Sequence, residues 1–552
     1  MAKGSGKLKG IGSGIMISLC LSFLVCIYAP LELYLTNVSE FWMKLTDLVP
    51  PVAIMFVCMA SAFSVAYIIA RLINKKFYDF CLVGGTAVML GLYICGNFLV
   101  KNLPPMNGTI TKWNEYPAEI VKSALAFAVP FVILLLVMII FKSKIIRKVT
   151  FTGSLCFLLL FAITLSTLFI TSDTDKPETL TSTEMNLLQM SEDRNLVVLV
   201  LDTLDGETFK KAIEDDGEIK ELLDGFTCYD DTLAAYPFTE RALPMLFSGK
   251  WYENDVNFQE YRTKAISNSV FIKELEKNDY TIGLYEHFEI GILDSEFKGR
   301  FENFSQSSVN YKTKYIYQLI LKMGGVKYAP WLLKSVCANL DDFSNYCRTV
   351  NSEYKKFPWS DSIFYERVNN EKIDTSSDKK CARIIHLEGG HIPYVYDEEF
   401  NKIEDGNYQK KVDGCVNLVK QYIKRLKESG VYDNTAIVVI GDHGCSGGNE
   451  EDEYSIRKRM HAGFMVKGID EHHDFKYSSA PIQYDEIAGG ITKLINGVKG
   501  DDIFDIEENA QRTRRMMIYL YNDENHLKEY TTDDKASNPD AMKPTGKEYN
   551  IG

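Results

Sequence analysis

Along the first third of the chain, apolar residues run almost without interruption through five stretches, 15–35, 49–70, 80–100, 123–141 and 149–170. Each is close to the ~20 residues an α-helix needs to cross a ~30 Å hydrocarbon layer. None shows the polar stripe of a helix packed into a water-soluble core. The pattern therefore predicts five membrane-spanning helices in a first domain, 1–171. The first stretch reads as an uncleaved anchor, because it is long and has no small-x-small exit before Glu32. Glu32 is the one acid set into a span, and snorkelling to the interface is the expected explanation.

After residue 171 the pattern changes. Residues 172–193 are polar and read as a linker, with a short helix expected at 184–190. The run NLVVLVL at 195–201 has strand length and is apolar throughout, as a strand buried on both faces of a parallel sheet must be. Helical periodicity at 269–277 precedes a strand-like YTIGLY at 280–285. An amphipathic helix over about 408–429 stops at Gly430 and leads into TAIVVIGDHG. This helix–strand alternation predicts an α/β domain over 194–530 with a mainly parallel central sheet flanked by helices. Residues 325–380 read as a helical insertion, and 531–552 as a polar C-terminal tail.

Charge adds an orientation. Lys3, Lys7 and Lys9 precede the first span, Arg71, Lys75 and Lys76 follow the second, and Lys142, Lys144, Arg147 and Lys148 follow the fourth. Basic residues near span ends stay on the cytoplasmic side, so the N-terminus is expected inside and everything beyond about 171 outside. The net charge of −13 then belongs to the outer part, which disfavours nucleic acid as a partner. Six of the twelve cysteines lie in or beside the spans, and the other six lie where disulfides can form. Cys337 and Cys347 are the easiest pair to imagine, though spacing does not establish a bond. Asn37-Val38-Ser39 and Asn107-Gly108-Thr109 fit the glycosylation triplet, a weak signal.

Ligands of open α/β sheets gather beyond the carboxyl ends of the strands, and two strand-like runs end in chemistry. Asp202 follows NLVVLVL, and Asp442-His443 follows TAIVVIG. Carboxylates and a neutral imidazole are oxygen and nitrogen ligands suited to Zn²⁺ or Mn²⁺. Asp-His taken alone is equally compatible with a surface turn. Thr239 is a candidate nucleophile, needing a base or a metal to lose its proton. It reads equally as a helix N-cap before Glu-Arg-Ala-Leu, and the two readings are compatible, since a helix N-terminus also offers amides to a phosphate.

LDTLDGETF at 201–209, YPFTERALPMLFSGK at 236–250, HLEGGHIPY at 386–394, IGDHG at 440–444 and HAGFMVKG at 461–468 follow one another as in the alkaline phosphatase/sulfatase superfamily. Within it the chain resembles the membrane-bound lipoteichoic acid synthase-type phosphoglycerol transferases and the phosphoethanolamine transferases. The resemblance implies that Asp202, Thr239, Asp442 and His443 hold one divalent metal, Mn²⁺ or Zn²⁺, and that Thr239 becomes phosphorylated. It places His391 against the phosphate or the departing oxygen, His386 nearby, and His461 at the substrate or a second metal. Asp202 departs from the pattern, since the transferases usually carry Glu there. Asp205 reads as a turn acid rather than a further ligand, and His287 as a surface histidine rather than part of the cleft.

Sulfatases convert a Cys or Ser into an aldehyde, whereas Thr would give a ketone, so Thr239 favours attack on phosphorus. The expected function is a metal-dependent membrane phosphotransferase. It moves a phosphoglycerol or phosphoethanolamine headgroup from a phospholipid to a cell-envelope glycan, glycolipid or polymer through phosphothreonine. A sulfatase-like phosphodiesterase or hydrolase and a non-catalytic membrane sensor are the alternatives. The resemblance also implies a bacterial cell membrane, with the protein multi-pass and its catalytic domain extracytoplasmic.

Overall fold

The computed structural model describes residues 10–38, 44–100, 113–141, 143–174, 180–286, 297, 299–308, 313–338, 349–350, 354–447, 452–521 and 523–550. The chain forms two compact units, one of residues 1–176 with 308–349 and the other of residues 177–307 with 350–552. His287, Cys347 and Asn107, considered above, lie outside the described residues.

Among the described residues of the first unit, five helices are long and apolar enough to cross a membrane: α1 (Gly12–Thr36), α2 (Leu45–Ile73), α3 (Lys75–Phe98), α4 (Pro117–Phe141) and α5 (Lys144–Thr171). Large apolar side chains such as Ile54, Val57, Ile139 and Ile170 point outward from them, the reverse of a water-soluble bundle. Inside the bundle Arg147 grips Asp79 with two parallel bonds, Nε to Oδ1 at 2.7 Å and a terminal nitrogen to Oδ2 at 2.8 Å. Two parallel bonds of this kind offset part of the cost of burying both charges.

The helices Thr313–Tyr328 and Trp331–Cys337 belong to this unit and not to the larger one. Lys327 pairs with Glu32, and the Tyr328 hydroxyl donates to the same carboxylate at 3.2 Å. Glu32 is thus neutralised by a partner almost 300 residues away rather than by snorkelling. Tyr328 lies over Gly96, where a Cβ would have no room.

In the second unit a seven-stranded sheet is built from β1 (Asn195–Leu201), β2 (Thr227–Tyr229), β3 (Tyr280–Tyr285), β4 (Lys380–Leu387), β5 (Thr435–Gly441), β6 (Phe464–Lys467) and β7 (Lys476–Ser478). Its order is β7-β2-β6-β5-β1-β4-β3. β3, β4, β1 and β5 are parallel, and β6 runs against both of its neighbours. Every residue of β1 is buried. Leu196, Val198 and Val200 enter the core on one face, and Val197, Leu199 and Leu201 the core on the other. The uninterrupted apolar run has its cause here: with both faces covered, no position of the strand meets water.

Two expectations need correction. Residues 184–190 form a turn followed by the strand Gln189–Ser191, not a helix; Gln189 and Ser191 pair with the strand Asp374–Ser377. Within the polar stretch 531–552, residues Lys543–Asn550 form a strand. Arg514–Ile518, His526–Thr532 and Lys543–Asn550 make an antiparallel sheet.

Candidate active site

Register brings the chemistry together. β1 lies between β4 and β5, with Leu201 level with Leu387 on one side and Gly441 on the other. The residues that follow, Asp202, Glu388 and Asp442, therefore leave the sheet at one level on its carboxyl edge. Asp202, Asp442 and His443 are buried and offer ligand atoms within 4.8 Å of one another. Thr239 joins them: its hydroxyl donates to Asp202 Oδ2 at 3.3 Å and lies 3.4 Å from His443 Nε2. Phe238, not Thr239, is the N-cap of the helix Thr239–Ser248. The threonine hydroxyl is accordingly not spent on capping.

The donor set fits a cation. Asp442 Oδ1 accepts the backbone N–H groups of Thr203 at 2.9 Å and His443 at 2.8 Å. Its Oδ2 is buried with no hydrogen-bond partner, 3.4 Å from His443 Nε2. His443 Nδ1 donates to the Gly444 carbonyl at 2.9 Å, which leaves the Nε2 lone pair facing that oxygen. Burial, joined by the Arg459 guanidinium, keeps the His443 pKa below the ordinary imidazole value despite Asp442 and Asp202. Two lone pairs meeting in a buried space are stabilised by a cation between them.

Burial alone would raise the Asp202 carboxyl, but His391, His443 and His386, with the 2.6 Å bond from Thr203 Oγ1, hold it below the ordinary range. Burial would lower the His386 pKa, yet the Glu286 carboxylate, 2.9 Å from its Nδ1, raises it to about 9 with help from Asp202 and Asp442. The Trp359 ring lies 6.1 Å from His386 and 5.4 Å from His391. His461 sits differently. Its ring covers Gly206 and its Nε2 donates to the Asp230 carbonyl at 3.0 Å, while Nδ1 is buried without a partner. Asp205 caps the helix Gly206–Asp215, accepting the Thr208 N–H at 2.9 Å. A second group, Glu471, His473 and Asp501, is already consumed by the Gly468 and Gly500 amides and by Lys476.

The sulfatase family profile matches residues 194–498, more than half of the chain; the match takes in the strand ends just described and none of the spans. The chain belongs to the sulfatase family. Solved structures similar to this family member include a protein of the alkaline phosphatase superfamily from Vibrio parahaemolyticus, 13% identical, covering 67% of this chain and 81% of that one, with a TM-score of 0.36. Another is the lipoteichoic acid synthase LtaP from Listeria monocytogenes, 12% identical, with 64% and 88% covered and a TM-score of 0.34. A third is the integral membrane lipooligosaccharide phosphoethanolamine transferase A (EptA) from Neisseria meningitidis, 13% identical, with 87% and 95% covered and a TM-score of 0.30. No curated protein matches the chain.

Sequence reading missed several residues that shape the site of this sulfatase-family chain. Thr203 turns the chain at φ 57°, a left-handed conformation unfavourable for a β-branched residue, and thereby aims its N–H at Asp442 and its hydroxyl at Asp202. Arg459 lies 3.3 Å from the His443 ring nitrogens, held by the Pro237 carbonyl at 2.7 Å and stacked on Phe238. It stands in the basic run Arg457-Lys458-Arg459. The 388–391 loop is clamped by Lys411, 3.1 Å from Glu388 and 3.5 Å from Asp361, whose other oxygen accepts the Gly389 N–H.

Proposed function

We propose that the protein is a metal-dependent membrane phosphotransferase that moves a phosphoglycerol or phosphoethanolamine headgroup from a phospholipid to a glycan, glycolipid or polymer of a bacterial cell envelope. The observation that carries this reading is a threonine hydroxyl within 3.4 Å of both an acid and a neutral imidazole of a buried cation-type donor set. A cysteine or serine at this position would admit the sulfatase aldehyde; Thr239 does not.

Asp202, Asp442, His443 and Thr239 would hold the ion, Mn²⁺ or Zn²⁺. When bound, it supplies positive charge that acidifies a hydroxyl and neutralises phosphoryl oxygens. Thr239 Oγ1 forms a bond to phosphorus as the bond from phosphorus to the diacylglycerol oxygen breaks. The threonine proton leaves along its existing hydrogen bond to Asp202. We assign His391 to protonating the departing oxygen and His386 to holding the phosphate. In the second half-reaction we assign the proton of the acceptor hydroxyl to His461, whose Nδ1 has no hydrogen-bond partner. That oxygen bonds to phosphorus as the bond from phosphorus to Thr239 Oγ1 breaks, and Thr239 recovers its proton from Asp202. General acid–base help of this kind typically contributes ~10²–10⁴-fold. The basic span ends support a cytoplasmic N-terminus and a catalytic unit on the outer face, in the plane of lipid headgroups.

Mass spectrometry of the full-length protein incubated with defined phospholipids tests the reading. A headgroup adduct on Thr239, absent from Thr239→Ala, is expected. Steady lipid breakdown with Thr239 unmodified would replace it with water-using hydrolysis.

A further inference from the structure

A cavity of about 210 Å³ opens in the first unit where the C-terminal end of α3 meets the N-terminal end of α4 and the helix Trp331–Cys337. Cys95, Phe98, Leu99 and Trp331 form apolar walls; Lys122 and Glu119 line it as an ion pair, and Lys334 adds a further positive charge. Lys122 is exposed and leans toward Glu119 at 3.5 Å. Lys334 is different in kind. It is 3% exposed, and its ammonium donates to the carbonyls of Val326 and Lys327 at 2.5 and 2.8 Å. Those two bonds leave one N–H of three, and no carboxylate pairs with Lys334 among the described residues. Burial lowers its pKa to about 8, a measure of how poorly the charge is solvated. A buried cation beside a cavity, without a counter-ion, favours an anionic occupant.

The same short helix indicates where that occupant comes from. Trp331 and Lys334 face inward, whereas Leu332, Leu333 and Val336 are 54%, 56% and 69% exposed. A helix with an outward apolar face and an inward Trp–Lys edge, packed on spanning helices, suits the headgroup boundary of a bilayer. The Trp331 ring is fixed there by its bond to the Trp113 carbonyl at 3.0 Å.

We propose that this cavity binds the phosphodiester headgroup of an anionic membrane lipid, with the acyl chains lying along Leu332, Leu333 and Val336. The volume accepts a phosphate with a small alcohol but not two acyl chains, so the chains remain outside. The cavity is lined by residues of the first unit and Thr239 belongs to the second, and the proposal does not depend on what Thr239 does.

Native mass spectrometry of the full-length protein, released from phosphatidylcholine nanodiscs containing phosphatidylglycerol, tests it. One retained phosphatidylglycerol per chain is expected, in Thr239→Ala as in the unaltered protein, so that a failed phosphotransfer reading leaves this outcome untouched. Lys334→Met lowers retention about tenfold, the usual effect of losing a charge-assisted contact, and Lys334→Arg largely restores it. Leu333→Glu, on an exposed face where folding is not at stake, also lowers retention. Equal phosphatidylglycerol retention by Lys334→Met and Leu333→Glu would overturn the proposal. So would equal retention of phosphatidylcholine, or displacement of the lipid by inorganic phosphate alone.

Discussion

Oδ1 of Asp442 is held by two backbone N–H groups while Oδ2 faces the Nε2 lone pair of His443. The first oxygen fixes the carboxylate, and the second is left for a ligand. Without a cation the arrangement is repulsive, so metal and fold are linked. Chelation with EDTA is expected to lower the melting temperature, corresponding to about 3 kcal/mol if metal had been present at ~100 times its Kd. Asp442→Asn removes the repulsion and the ligand together. It should melt at or above the stripped protein, ignore EDTA, and bind metal at least tenfold more weakly by calorimetry. Asp442, His443 and Asp202 were legible because each directly follows a strand-length apolar run. Thr203 and Arg459 were not. A left-handed turn and a cation folded back onto an imidazole depend on partners over 200 and 16 positions away, and nothing local marks them.

Elements position these side chains through close backbone approach. Gly389 has φ 56°, and a Cβ there would fall 2.6 Å from the Asp202 nitrogen. We expect Gly389→Ala to destabilise the second unit by about 1–3 kcal/mol, from strain and overpacking together. The 388–391 loop should shift, cutting turnover more than lipid affinity in a steady-state assay. On β6, Lys467 is fully buried, with its ammonium on the Gly468 carbonyl at 2.9 Å. Burial, the largest influence, lowers its pKa to about 8 although Asp433 and Glu471 pull upward. Between pH 8 and ~10.4 the unfolded chain binds a proton that the folded chain does not, so this residue's contribution to stability rises with pH. Relative to Lys467→Met, the unaltered protein should gain up to about 3 kcal/mol across that window, read from melting curves at each pH. The alternation of helix and parallel strand was legible because buried strands are apolar throughout. The strand Lys543–Asn550 was not, since almost all its residues are exposed and no apolar run marks it.

At the scale of the molecule, five spans were readable because lipid requires apolar side chains on the outside, and composition alone records that. The attachment of residues 313–337 to the spanning unit was not readable. It rests on Glu32, Lys327, Tyr328 and Gly96, a charge pair and a small-residue contact with no shared periodicity. Lys327→Met leaves the Glu32 carboxylate without its cation in a largely apolar setting, a change that costs about 3–5 kcal/mol when fully buried. We expect faster proteolysis between 308 and 349 in the variant, followed by peptide mapping, while Glu32→Gln with Lys327→Met recovers much of the protection. The division of the chain has a last consequence. The polypeptide passes from one unit to the other at 176–177, 307–308 and 349–350. A protease that severs the first passage does not detach the second unit, because the 308–349 excursion still ties it by two covalent threads; a free second unit would require three incisions.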